Sequence, residues 1–303
     1  MRVILLILFF PLFVHGQQKE EILKAIVKIN RLETADKGPF IPLDTNRLST
    51  DEKKVLFEIP NKYDNYKNFQ ALRKLIDHDE LLALTKHENG VVRLFAVREL
   101  IKERDYNFDF YNFFLTEFNK GDKIESQFAD MIDREMTYKI LLADLSGDWN
   151  YARSTGAKED FKFLSFMSQR IDSFILFKDF DFYDEVYIDI FDRQKFGKSA
   201  NGRILELIKI KFNFWAFDYL KEHEPKLYDS IKVETVIAFD KHKGTLLTEH
   251  PNFFQWFLRY LITSRQYEIA KSFLQELKKR DYSKETIDWM LMGIDEKLIE
   301  KVK

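Results

Sequence analysis

The sequence predicts an all-α protein assembled from stacked helix pairs, and three observations carry that prediction. Asp79–Arg104, DELLALTKHENGVVRLFAVRELIKER, reads as two short helices folded back on each other. Glycine and proline are sparse, at 10 and 6 of 303 residues, as suits helices joined by short turns. No apolar–polar alternation of period two persists long enough to read as a strand.

Within the central pair, Asp79 is expected to cap a helix that runs through Leu81, Leu82 and Leu84 to His87. Asn89-Gly90 then supplies residues that tolerate a left-handed backbone, so that the chain reverses. Eight of the eleven residues Val91–Ile101 are apolar. A helix apolar on most of its circumference must be covered on several sides, which is the position of an inner helix in a stack.

The flanking elements follow from spacing. Ile22, Ile26, Ile29 and Leu32 pattern a helix over Glu20–Leu32. Gly38-Pro39 and Pro42 mark Thr34–Asn46 as a connector, and Ser49 with Glu52 forms a capping box for a short helix ending before Pro60. Tyr66, Phe69, Leu72 and Leu75-Ile76 mark the next helix, and Phe110, Phe113-Phe114 and Phe118 the one over Asp109–Phe118. Ile124–Ile132 and Met136–Leu145 read as short helical runs, Gly147 as a stop and Trp149–Thr155 as a loop. Longer, more aromatic helices follow over Phe161–Phe177 and Phe182–Phe191. Asn201-Gly202 opens a run from Ile204 to Leu220 that Pro225 ends; Val233–Phe239, Phe253–Ile262, Tyr267–Leu277 and Ile287–Ile299 complete the series. The change in helix length near residue 150 marks a boundary.

Composition bounds the function. Arg2, the apolar run Val3–Val14 broken only by Pro11, and the small residues of Val14-His15-Gly16 form the pattern of a secretory signal peptide cleaved near Gly16. The run is short for a membrane span, although an uncleaved anchor is the competing reading. The expected mature protein is periplasmic or extracellular and has no transmembrane segment. Cysteine is absent, which excludes disulfides, thiolate nucleophiles and thiolate metal ligands. Core burial must hold the fold, and Phe 30, Tyr 13 and Trp 4 supply the area. Lys+Arg 48 against Asp+Glu 50 gives a net charge of −2, without the basic footprint that nucleic-acid binding requires.

No catalytic constellation is legible. Beyond the leader the histidines are His78, His87, His223, His242 and His250, with no H-E-x-x-H and no pair at helical ligand spacing. His78 with Asp77, Asp79 and Glu80 is the densest cluster, with His87-Glu88 across the helix pair; acids favouring the positive end of a helix account for it without a metal. G-x-S-x-G, a glycine-rich phosphate loop and a dinucleotide fingerprint are all missing. Neither a cofactor nor an enzyme activity is expected.

Two features have a binding reading beside a structural one. Asp179–Asp192, DFDFYDEVYIDIFD, reads as an amphipathic helix with core aromatics, or as a docking face presenting Tyr183 and Tyr187. FNFWAFDY at Phe212–Tyr219 and FFQWFLRY at Phe253–Tyr260 read first as core. Arg98 and Lys102 share a helix face at i and i+4 and are the better surface candidates for a partner.

VVRLFAVREL, with Val92, Arg93 and Ala96 at its Val-Arg and small-residue positions, resembles the second helix of a HEAT-like repeat. Through LLALTKHENGVVRLFAVREL, DFYNFF and IESQFADMID, the stretch Leu81 to Leu142 is similar to exported HEAT-like repeat proteins of unassigned function in Bacteroidetes. Gly90 stands where such repeats commonly carry a turn proline. The resemblance implies an α-solenoid scaffold and brings no catalytic residue; it also implies that Arg93 bonds acids and carbonyls between neighbouring repeats. The expected organisation is a signal peptide (1–16), N-terminal helices and a connector (17–60), a HEAT-like repeat region (61–150) and a C-terminal helical array (151–303). The expected function is a non-enzymatic exported scaffold that binds a protein or peptide, with second helices turning Arg98 and Lys102 toward it. The alternative is a carrier of a small apolar ligand in the aromatic C-terminal helices, and a lesser one is a divergent hydrolase with its acids on loops.

Overall fold

Helix caps and buried apolar stripes build most of the architecture. The computed structural model describes residues 2–33, 64–128, 131–178, 184–249 and 253–302. The fold is mostly helical, with a small three-stranded sheet. It divides into two compact units, Met1–Ser168 and Gln169–Lys303. The 34–46 connector and the Ser49–Glu52 capping box lie outside the described residues, as does Tyr183. No helix among the described residues is long and apolar enough to cross a membrane.

In the first unit, α1 (Arg2–Ile29) buries Ile26 and pairs Lys19 with Glu80 at 2.7 Å. Leu32, expected on that helix, instead lies buried in β1 (Arg31–Glu33). The carboxylate of Glu33 accepts the N–H groups of Asn65 and Tyr66 at 2.9 and 3.2 Å, which caps α2 (Asp64–Arg73) from a distant strand. In α3 (His78–Leu84) the cap is Asp77, two residues before the expected Asp79, because Asp77 and Glu80 form a reciprocal capping box.

The reversal into α4 (Gly90–Lys102) departs from the expected left-handed turn. Asn89 is the N-cap, with φ −81, and its side chain accepts from Val91 and Val92 N–H. Gly90 leaves room for close packing instead: a Cβ there would press on Ile124 Cγ2 at 3.0 Å and Thr137 Cγ2 at 3.3 Å. Every residue of α4 is buried except Arg98 and Lys102, and Phe95 stacks on Phe69 with centroids 4.9 Å apart. The expectation that this helix is covered on several sides holds.

After α5 (Phe110–Lys120), capped by Asp109, Gly121 turns the chain at φ +63. The helical reading of Ile124–Ile132 is overturned there. Ile124, Phe128, Met131 and Ile132 fit helical spacing, yet the segment forms β2 (Lys123–Phe128) and β3 (Met131–Met136). Antiparallel pairing runs from Lys123↔Met136 to Phe128↔Met131, and β1 adds in parallel from Arg31↔Glu125 to Glu33↔Gln127. The pairing of β2 with β3 is local, but it rests on backbone hydrogen bonds between the strands, while the apolar spacing of the segment also fits a helix. On β3 the N–H groups of Arg134 and Met136 bond the carboxylates of Asp133 and Glu135, the residues just before them, which blunts the strand edge.

Gly147 does not stop its helix, and Trp149–Thr155 is not a loop. Both lie in α6 (Thr137–Thr155), which ends at Gly156 with φ +73. Glycine inside a helix costs about 1 kcal/mol against alanine. Burial of Leu145 and Trp149 on either side offsets that cost, and Trp149 Nε1 donates to Ser165 Oγ at 3.0 Å. Ser165 is carried by α7 (Lys158–Phe177).

In the second unit, Arg193 at the end of α8 (Asp184–Arg193) forms a fully buried pair with Asp172 of α7, at 2.6 and 3.2 Å. The expected single run to Leu220 is two helices, α9 (Asn201–Lys211) and α10 (Phe214–His223). They part at Phe212, which adopts φ 51, and Asn213 caps the second through Ala216 N–H. Pro225 opens a helix where it was expected to end one. It is the first residue of α11 (Pro225–Glu249), where its missing N–H costs nothing. Val233–Phe239 lies inside α11. Then come α12 (Phe253–Thr263), α13 (Tyr267–Lys279), α14 (Lys284–Leu291) and α15 (Glu296–Ile299). Gly293, at φ +84, divides the expected Ile287–Ile299 helix into the last two.

Candidate functional site

The side chains that α4 sends out of the first unit's core converge on one cleft. Arg98 and Lys102, one turn apart, line a cavity of about 400 Å³ together with Asp144, Asp148 and Tyr151 of α6 and Asp160 and Phe163 of α7. Phe95, Ile101, Ala152 and Leu164 add apolar wall, and Glu33 and Tyr66 also line it. The volume falls in the range of about 300–1,000 Å³ typical of ligand-holding clefts.

Charge in the cleft is organised as pairs. Arg98 grips Asp144 with both arms of its guanidinium, at 2.8 and 3.1 Å. Arg104 pairs with Asp160. Lys102 stands 3.8 Å from Glu99, whose carboxylate also accepts from Gln70 Nε2 at 3.0 Å. The Lys102 side chain is 61 % exposed, whereas Arg98 is partly covered. Tyr151, at 59 % exposed, offers a ring and a hydroxyl to solvent at the same cleft.

Glu33 combines structure and titration. Burial pushes its carboxyl above the ordinary value of 4.5, opposed in part by the N–H groups of Tyr66 and Asn65 and by Arg31. A carboxyl raised in the folded state holds its proton more tightly there than in the unfolded chain. Its contribution to stability is therefore greatest at low pH and declines as pH rises from 4.5 through the raised value. Glu33→Gln keeps an oxygen for both N–H groups and removes the titration. Urea midpoints taken at the two ends of that window should fall less in the variant than in the native protein.

Arg93 is the anchor behind the cleft helix. Only 1 % exposed, it grips both oxygens of buried Glu117 at 2.8 and 2.9 Å. It also donates to Asp122 at 2.7 Å and to the carbonyls of His87 and Glu88 at 2.9 and 2.7 Å. It thus makes acid and carbonyl bonds as expected, but both carbonyls belong to the turn of its own helix pair.

The other sequence candidates fall elsewhere. Tyr187, offered as a docking residue, is 4 % exposed and belongs to the second unit's core, with its ring 6.3 Å from Phe191. The FNFWAFDY and FFQWFLRY aromatics fill that core: Phe217–Phe239, Phe239–Phe257 and Phe257–Phe273 centroids lie 5.9, 5.4 and 5.5 Å apart. His78 stands between Asp105 and Glu103, at 3.3 and 3.7 Å, away from the acids beside it in sequence. His87 Nδ1 accepts from Asn89 N–H. Among the described residues no group of three histidine or carboxylate side chains is placed to hold a metal ion.

Asp144, Asp148 and Tyr151 escaped the sequence reading because Gly147 and the expected loop cut their helix apart. Their spacing, i, i+4 and i+7, was the signal that one helical face carries all three. No family model matches the chain, and neither a curated protein nor a solved structure matches it.

Proposed function

We propose that this protein is a non-enzymatic, exported helical-repeat scaffold of HEAT-like helix pairs that binds a protein or peptide through the α4–α6–α7 cleft. The observation that carries this reading is the fate of α4: an inner helix buried on every side sends out only Arg98 and Lys102, and both line the cleft. A lining that mixes apolar and charged side chains suits a recognition surface, in which apolar contact gives affinity and charge gives selectivity.

A photo-crosslinking residue in place of Tyr151, introduced into the tagged protein in its native host, tests the reading. One recurrent protein adduct is expected, and it should be lost when Lys102→Glu is added. The charge reversal at exposed Lys102 should leave the melting temperature within about 1–2 °C, since isolated surface pairs contribute about 0–1 kcal/mol. An adduct-free result, or adducts indifferent to Lys102→Glu, would remove the cleft from consideration. Native mass spectrometry of the same preparation separates the carrier alternative, because a carried small ligand would appear as added mass on the intact protein.

A further inference from the structure

We infer that the second unit carries a docking groove of its own, between α14 and α15, for a basic amphipathic segment of a partner protein. The inference is independent of the cleft in the first unit. A groove of about 690 Å³ lies where the chain turns from α14 into α15 at Gly293, which takes φ +84. Trp289 and Met292 line it, each more than half exposed, and Ile294 and Ile299 add half-buried apolar surface. Single exposed apolar residues are ordinary, but a set of them around one concavity marks a contact site. Tryptophan and methionine are enriched at such sites. A further ring adjoins the groove: Arg259 of α12 stands over exposed Trp256, at 5.7 Å, and donates to the Met292 carbonyl at 2.9 Å.

Charge decides the occupant. The charged residues of the lining are Asp288, Glu296 and Glu300, and no base is among them. Glu296 and Glu300 stand one helical turn apart, both exposed, and neither side chain has an ion-pair or hydrogen-bond partner among the described residues. The bases nearby are held elsewhere, Arg259 as above and Lys301 over the Tyr267 ring at 5.2 Å. Lys297, beside Glu296 in sequence, does not line the groove. A segment that joins apolar side chains to lysine or arginine meets both features. Its apolar side covers Trp289 and Met292, and its cations meet two carboxylates that are otherwise solvated. An acidic segment or an anionic lipid surface meets charge of its own sign.

The test uses capped amphipathic peptides with leucine at i, i+3, i+4 and i+7 and, at the other charged positions, lysine, acetyl-lysine or glutamate. They are titrated into the full-length protein labelled at its methionine methyls, with the Met292 signal assigned through Met292→Leu. Acetyl-lysine keeps the stem of lysine and removes its charge. The lysine peptide is expected to shift the Met292 methyl and to bind about tenfold tighter than the acetyl-lysine peptide. Glu296→Gln combined with Glu300→Gln should remove most of that ratio, and raised salt should do the same. Trp289→Ala should weaken both peptides alike, with far-UV spectra and melting temperatures as the check that the variants fold. Equal binding of lysine and acetyl-lysine peptides would overturn the inference, as would a preference for glutamate or a ratio unchanged by the paired glutamine variant. An unmoved Met292 methyl, or a larger shift with phosphatidylglycerol vesicles than with the lysine peptide, would overturn it too. None of these results bears on the cleft, which falls on the absence of a protein adduct at position 151.

Discussion

Arg93→Ala should be the most damaging single substitution in the first unit, lowering stability by about 3–5 kcal/mol. The loss does not come mainly from the bonds Arg93 makes. It comes from what the substitution leaves behind: Glu117, fully buried, would lose the guanidinium that meets both its oxygens. Its remaining cation is Lys120 at 3.6 Å, a partly exposed side chain from the same helix. Two backbone carbonyls of the α3–α4 turn, His87 and Glu88, would lose their donor as well. Arg93→Lys should recover only part of the loss, because an ammonium cannot reproduce the planar fork that serves Glu117 and Asp122 together. Urea unfolding of the three proteins, compared by midpoint at equal slope, measures the effect; a cost below about 1 kcal/mol for the alanine variant would show that Glu117 finds another partner.

Phe257→Ala should cost about 3–5 kcal/mol in the second unit, for a reason that involves no charge. Phe257 is 0 % exposed and its ring meets those of Phe214, Phe239 and Phe273 at 6.1, 5.4 and 5.5 Å. Removing it opens a cavity walled by rigid aromatic rings, which relax into empty space less readily than aliphatic chains. Phe257→Leu, which refills much of the volume, should be markedly milder. Thermal unfolding of both variants gives the comparison. If the two were equally destabilised, the edge-to-face ring contacts rather than the lost volume would be the source.

Parts of this architecture were legible because they depend on neighbours in the chain. The helix beginning at Asp109 was read from its own phenylalanines, and α4 shows its burial in the eleven residues Val91–Ile101. Elements that depend on remote contacts were misread. β1 exists as a strand because Arg31–Glu33 pairs with Glu125–Gln127, some ninety residues on, and the stretch is not strongly extended by composition. Gly147 and Pro225 carry strong local signals, and both were overruled. A helix whose residues on either side are buried tolerates a glycine, and a proline at the first helical position is compatible with the helix it begins.

The candidate site divides along the same line. Arg98 and Lys102 could be singled out from an i, i+4 spacing on a helix otherwise apolar. Their acidic counterparts could not, since Asp144, Asp148 and Asp160 acquire meaning only when α6 and α7 are laid beside α4. The sequence by itself determined a mostly helical, cysteine-free protein that draws on aromatic burial and in which α4 is covered on several sides. The tertiary structure alone decided the three-stranded sheet, the buried partners of Arg93 and the cleft. Helix periodicity is a property of residues within one turn of each other, whereas strand pairing and a binding cleft are made by residues tens of positions apart.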